Sequence, residues 1–117
     1  MQKIGREELK KRIDSKEDFL LIEALPEDSY NTGHIPGALQ MVPEKIRQGG
    51  ANLPADKATP IVTYCGSAEC PKSRMAAEAL EEQGFTNVSA YEGGKKDWEG
   101  AGLLLSMEKA AGEQYHY

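Results

Sequence analysis

Residues 61–73 read Ile61-Val62-Thr63-Tyr64-Cys65-Gly66-Ser67-Ala68-Glu69-Cys70-Pro71-Lys72-Ser73. An apolar tetrad opens the segment, a run of mostly small residues with two cysteines follows, and a helical pattern begins at its end. The tetrad follows Pro60 and is rich in β-branched and aromatic residues, which predicts a buried strand. From Ser73 to Gln83, Met75, Ala76, Ala79 and Leu80 share one stripe, while Glu78, Glu81 and Glu82 face outward, as in an amphipathic helix. Ser73 suits its N-cap, and Gly84 suits the left-handed residue after its last turn. Strand, short loop and helix form one α/β unit with Cys65 at the strand's carboxyl end, where ligands gather in open α/β sheets.

The pattern repeats on both sides of this unit. Phe19-Leu20-Leu21-Ile22 follows Lys16-Glu17-Asp18, and Val88-Ser89-Ala90-Tyr91 follows Thr86-Asn87; a weaker strand, Ala38-Leu39-Gln40-Met41, lies between Gly37 and Pro43. Unbroken apolar runs of this length suit a sheet covered on both faces. Arg6–Ile13 sets Leu9 and Ile13 on one helical face, and Pro43–Gln48 and Lys95–Glu99 each suit a turn or two of helix. The alternation predicts a three-layer α/β domain, with a mainly parallel sheet and helices on both faces. At 117 residues the chain fits one domain. We place it at residues 1–105, with a tail at 106–117 in which Met107–Ala111 adds a helical turn.

Composition removes several functions. The longest apolar run, Phe19–Ile22, has four residues, far short of the ~18 of a membrane span. The start, MQKIGREELKKRID, lacks the apolar centre of a secretory signal. A net charge of −5 argues against nucleic acid, which selects basic surfaces. Two cysteines and two histidines suit neither a four-ligand zinc site nor a secreted disulfide framework. The expectation is a cytoplasmic protein without metal or membrane partner, with two thiols to explain.

A loop of small residues between strand and helix lets successive backbone N–H groups surround the Cys65 sulfur as an anion nest. Such donors and the helix dipole favour the thiolate, the form that attacks electrophilic sulfur or phosphorus. The same position also suits an inert buried thiol, since free cysteine is among the most buried residue types.

Three blocks together resemble the rhodanese domain, in its order. The first is Phe19–Glu23 followed by Tyr30 and Gly33-His34-Ile35-Pro36-Gly37-Ala38. The second is Ile61–Cys65. The third combines Ser73, Ala76, Ala77 and Leu80 with Gly84-Phe85, Asn87-Val88, Gly93-Gly94 and Trp98. The resemblance spans roughly residues 1–102. It implies sulfur transfer without a cofactor: Cys65 takes a sulfane sulfur from a small donor such as thiosulfate or a persulfide. It then yields that sulfur to a thiol, another nucleophile or a protein acceptor. Gly66, Ser67, Ala68, Glu69, Pro71, Lys72 and Ser73 would form the substrate-binding loop, with His34, Gly37 and Trp98 as structural residues.

The resemblance is not complete. The family's common loop is Cys-x4-Arg-Ser, whereas Lys72 stands here at the arginine position in a loop two residues longer. Lysine keeps the charge and loses the planar fork that holds oxyanions in two bonds. Glu69 adds a charge that repels dianionic donors, and Arg74 falls one step into the helix. Glu23 replaces the usual aspartate and Leu25 a frequent arginine, so the acid–base pair that braces the family's loop is rewired. Cys70 is the distinctive residue, in a Cys-x4-Cys-Pro loop that resembles a longer family variant. It is a candidate resolving thiol for a Cys65 persulfide or sulfenic acid, or else simply packs beneath the loop.

Other residues read as structural: Trp98 packs a short helix more readily than it lines a substrate entrance, Lys95 and Lys96 either solvate the surface or steer anions, and Gly93-Gly94 serves an unusual backbone conformation or a close approach near the loop. Tyr115-His116-Tyr117 is too short to read as a ligand cluster. Two alternatives to sulfur transfer stand beside it. One is a non-catalytic or redox-regulated module closing a Cys65–Cys70 disulfide. The other is a phosphatase or arsenate-reductase-like enzyme, which the resemblance disfavours because the Cys-x5-Arg motif meets Pro71 here.

Overall fold

The computed structural model describes residues 1–49 and 53–107. Most of the expected Met107–Ala111 turn, and all of Tyr115-His116-Tyr117, lie outside them. The elements run β1 (Gln2–Lys3), α1 (Arg6–Asp14), β2 (Leu20–Glu23), α2 (Glu27–Asn31), β3 (Leu39–Gln40), α3 (Pro43–Arg47), β4 (Ile61–Tyr64), α4 (Lys72–Glu82), β5 (Val88–Tyr91) and α5 (Gly94–Gly100). The strands form one sheet in the order β1-β5-β4-β2-β3. Every pairing is parallel, so the sheet is wholly and not just mainly so.

Alternation along the strands builds two cores. Leu20, Ile22, Ile61 and Val88 turn to the face covered by α3 and α4, where Ile46, Ala76, Ala77, Ala79 and Leu80 meet them. Leu21, Val62, Tyr64 and Tyr91 turn to the other face, under Leu9 of α1, Tyr30 of α2 and Trp98 of α5. Each central strand is thus buried throughout, because both of its sides are covered.

Sequence patterning passed over β1 and α2, for identifiable reasons. β1 is two exposed residues at the sheet edge and shows no apolar run. α2 has only five residues, and a single buried side chain, Tyr30, fastens it. The Tyr30 hydroxyl donates to the Ala38 carbonyl at 2.6 Å.

The N-cap expected at Ser73 lies instead at Pro71, and α4 starts at Lys72. The Met75 N–H bonds back to the Pro71 carbonyl, so the helix is already under way at Ser73. Ser73 is wholly buried, and its carbonyl accepts the Thr63 hydroxyl at 2.7 Å, tying the first turn of α4 to β4. The other end behaves as expected: Gly84 has φ +98, and the Phe85 N–H reaches back to the Leu80 carbonyl, closing a left-handed cap. Ser106 is paired with His34 through both backbone bonds, at 2.9 and 2.7 Å, one residue past the boundary read from the sequence. Among the described residues no helix is long and apolar enough to cross a membrane.

Register determines what surrounds the site. Glu23 pairs with Tyr64 across β2 and β4, and Tyr64 with Tyr91 across β4 and β5. The three central strands therefore finish in one row, and Cys65 is the first residue beyond it.

Candidate active site

Cys65 leaves the tip of β4 wholly buried, and the first turn of α5 grips its backbone. The Lys95 N–H donates to the Cys65 carbonyl and the Lys96 N–H to the Gly66 carbonyl, both at 2.9 Å. This grip requires glycine beside it. Gly94 has φ +67, and a Cβ there would lie 2.4 Å from the Cys65 oxygen and 2.9 Å from the Ser67 nitrogen. The close approach read from Gly93-Gly94 is thus made at Gly94.

The loop then curls back on itself. The Cys70 N–H donates to the Ser67 carbonyl at 3.1 Å, and the Cys65 thiol donates to the Cys70 carbonyl at 3.3 Å. Both thiols are free, and the sulfur contact between the two residues runs from Cys65 to the Cys70 backbone oxygen. Gly66, Ser67, Cys70 and Lys72 are half-buried, while Ala68, Glu69, Pro71 and Arg74 are exposed. The Glu69 charge therefore stands in water, where its effect on an incoming anion is screened.

Ionisation of the pair departs from the expectation of a Cys65 thiolate. Burial, and next the hydrogen bond with Cys70, push the Cys65 thiol above its ordinary value, against the Ser73 backbone and side-chain donors. Desolvation outweighs the nest because the loop closes over the sulfur. Burial also opposes ionisation of Cys70, but less. The hydrogen bond from Cys65, the N–H groups of Lys72 and Gly66, and the Lys72 charge together hold Cys70 below the usual thiol range. Cys70 is thus the more readily ionised thiol of the pair.

Beneath the loop lies a buried polar circuit. The Ile35 N–H donates to the Tyr64 hydroxyl at 3.0 Å, and that hydroxyl donates to Glu23 Oε1 at 2.8 Å. Lys95 Nζ stands 3.1 Å from Glu23 Oε2 and donates to the Ser29 carbonyl at 2.8 Å. Since the Lys95 N–H holds Cys65, and Tyr64 precedes Cys65 in the chain, the circuit returns to the loop from which it starts. Desolvation raises the Glu23 pKa, and bonds from Tyr64 and Lys95 oppose the rise. Burial and Glu23 together keep the Tyr64 hydroxyl protonated as a donor. Lys95, read as a surface lysine, is therefore the cation of the rewired brace. Leu25 is half-buried, with its Cδ1 4.0 Å from where a Gly66 Cβ would stand.

The remaining motif residues hold the frame. His34 is buried, stacks on Tyr30 with ring centroids 3.8 Å apart, and sets Nδ1 3.0 Å from the Tyr30 carbonyl. Gly37 takes φ +87. Trp98 is buried, meets Tyr91 edge to face and donates Nε1–H to the Leu104 carbonyl at 3.0 Å. Sequence reading missed Asp97, which takes the Tyr91 hydroxyl and pairs with Arg6 at 2.8 Å. Its signal was only its spacing, three residues past Gly94 in the first turn of α5.

The chain belongs to the rhodanese-like domain family, whose profile matches residues 5–101. Two curated relatives illustrate its range. Thiosulfate sulfurtransferase GlpE of Coxiella burnetii is 32% identical over 83 residues, covering 71% of this chain and 74% of that protein. HTH-type transcriptional regulator Rv0324 of Mycobacterium tuberculosis is 32% identical over 100 residues, covering 86% of this chain and 42% of that protein. Among solved structures, BH2092 of Bacillus halodurans superposes with a TM-score of 0.81 at 23% identity, covering 93% of this chain and 77% of its own. That structure shares the α/β fold.

Proposed function

We propose that the chain is a sulfurtransferase in which Cys65 carries sulfane sulfur as a persulfide. The observation that supports this most is the placement of Cys65. Its thiol lies at the carboxyl end of a central parallel strand, with its backbone clamped by α5 and the first turn of α4 following the loop. Ser73 opposes the rise in the Cys65 pKa that burial causes. The name of the Coxiella burnetii relative supports the same chemistry. Because Cys65 is covered in the closed loop, uptake requires residues 66–71 to lift, which favours small donors. Without an arginine fork at Lys72, a persulfide suits the site better than thiosulfate, and the acceptor is a thiol or a protein.

The test is turnover with glutathione persulfide or thiosulfate as donor and cyanide or a small thiol as acceptor. The wild-type chain transfers sulfur, faster from the persulfide, and Cys65→Ser lowers the rate by about 1,000-fold or more, as removal of a covalent nucleophile does. Equal rates in both chains overturn the reading. An aryl phosphate is not hydrolysed by either.

A second reading, a redox-responsive module, draws on the contact between Cys65 and Cys70 and on the regulator among the relatives. It predicts a Cys65–Cys70 disulfide after mild oxidation and no sulfur turnover.

A further inference from the structure

Cys65 is wholly covered, so once the loop has closed over a loaded sulfur, an external acceptor reaches it only when the loop lifts again. A second free thiol lies on the same short loop. The turn from Ser67 to Cys70 folds the loop back, and the Cys65 thiol bonds to the Cys70 carbonyl at 3.3 Å. Cys70 is half-buried, so part of it is open to solvent.

We propose that Cys70 is a second catalytic thiol, resolving the Cys65 persulfide to a Cys65–Cys70 disulfide with release of hydrosulfide. The chain would then reduce persulfides at the expense of an external dithiol. This rests on the Cys65 persulfide proposed above and supplies its second half-reaction.

The step balances without any other oxidant. The Cys70 thiolate places its electron pair on Cys65 Sγ, forming the Sγ–Sγ bond. The bond from Cys65 Sγ to the outer sulfur breaks, and that sulfur leaves with the pair and its proton as HS⁻. The two cysteines together lose two electrons, and the sulfane sulfur gains them. A dithiol then attacks Cys70, the accessible sulfur, and its second thiol closes the reductant's own disulfide, returning both cysteines to the reduced state.

Three features favour this outcome over outward transfer. The Lys72 charge and the N–H groups of Lys72 and Gly66 favour ionisation of Cys70, and the attacking sulfur must be the thiolate. Burial around Cys65 favours a neutral persulfide, so the leaving group is HS⁻. Cys65 itself, with its raised pKa, is the poorer leaving group if the outer sulfur is attacked instead. Finally, the thiols share one short loop, so the step is intramolecular and gains from proximity.

The experiment loads the reduced full chain, without air, with one equivalent of glutathione persulfide, then follows hydrosulfide and intact mass. Wild type releases hydrosulfide in proportion to the sulfur it takes up and becomes lighter by two hydrogen atoms. Added dithiothreitol restores the mass and allows further rounds. Cys70→Ser and Cys70→Ala take up one sulfur on Cys65, with one glutathione leaving, and hold it about tenfold longer or more until excess thiol is added. If wild type keeps its extra sulfur as long as the Cys70 variants do, the resolving role is overturned while the Cys65 carrier stands. If the Cys70 variants, shown folded by circular dichroism, take up no sulfur, both proposals fall.

Discussion

Lys95→Met lowers the unfolding free energy by about 3–5 kcal/mol at neutral pH, the usual cost of removing one member of a buried ion pair. The Glu23 side chain is wholly shielded and that of Lys95 is 12% exposed, so no water replaces the missing ammonium. The pH dependence identifies the cause. Desolvation raises the folded-state pKa of Glu23 above 4.5, and the Lys95 charge and hydrogen bond oppose that rise. A carboxyl with a raised folded pKa stabilises the fold fully below its unfolded pKa, and loses that contribution as pH climbs through the folded one. Without Lys95 the folded pKa rises further and more stability is lost at neutral pH. The gap between wild type and variant therefore narrows as the pH falls toward about 5. Adding Glu23→Gln recovers much of the loss at pH 7. Urea titrations of the three chains at two pH values measure all of this, and a gap that is flat with pH contradicts it.

Gly94→Ala damages sulfur transfer more selectively. Its added methyl would stand 2.4 Å from the Cys65 carbonyl oxygen, at a backbone φ of +67. The left-handed conformation alone costs about 1–2 kcal/mol for a non-glycine residue, and the clash is with backbone, which cannot rotate aside. The clamp from Lys95 and Lys96 must then shift off the loop. A displacement of about 1 Å at a reacting centre costs roughly 100-fold in rate. We expect such a fall in kcat from Gly94→Ala, with the fold retained by circular dichroism. Gly100→Ala in the same helix, where a Cβ meets no atom within 4 Å, leaves the rate unchanged. Equal rates for wild type and Gly94→Ala refute the clamp.

The contrast between these residues shows what was legible in the sequence. The tetrads at Phe19–Ile22, Ile61–Tyr64 and Val88–Tyr91 announced the central strands because burial on both faces leaves an unbroken apolar run. The same signal placed Cys65 at a strand tip. The Glu23–Lys95 pair left no local mark. Its partners stand far apart in the chain, and only the register of β2 on β4 and the fold of α5 over the sheet bring them together. The one hint was an acidic residue continuing an apolar run. The protonated state of Cys65 was hidden for a related reason. Spacing predicts donors around a sulfur, but not that the loop closes over it and makes desolvation the larger effect. The N-cap misplaced at Ser73 followed from reading the helix stripe without the turn from Ser67 to Cys70, which delivers the chain at Pro71 already helical.

The most direct test of Cys65 as sulfur carrier is to locate the transferred atom. The reduced Cys70→Ala chain is loaded with glutathione persulfide bearing labelled sulfane sulfur, digested without reductant and mapped by mass spectrometry. The account predicts one labelled sulfur on Cys65 that moves to cyanide or a thiol when acceptor is added. Label on another residue, or label on Cys65 that no acceptor removes, contradicts it.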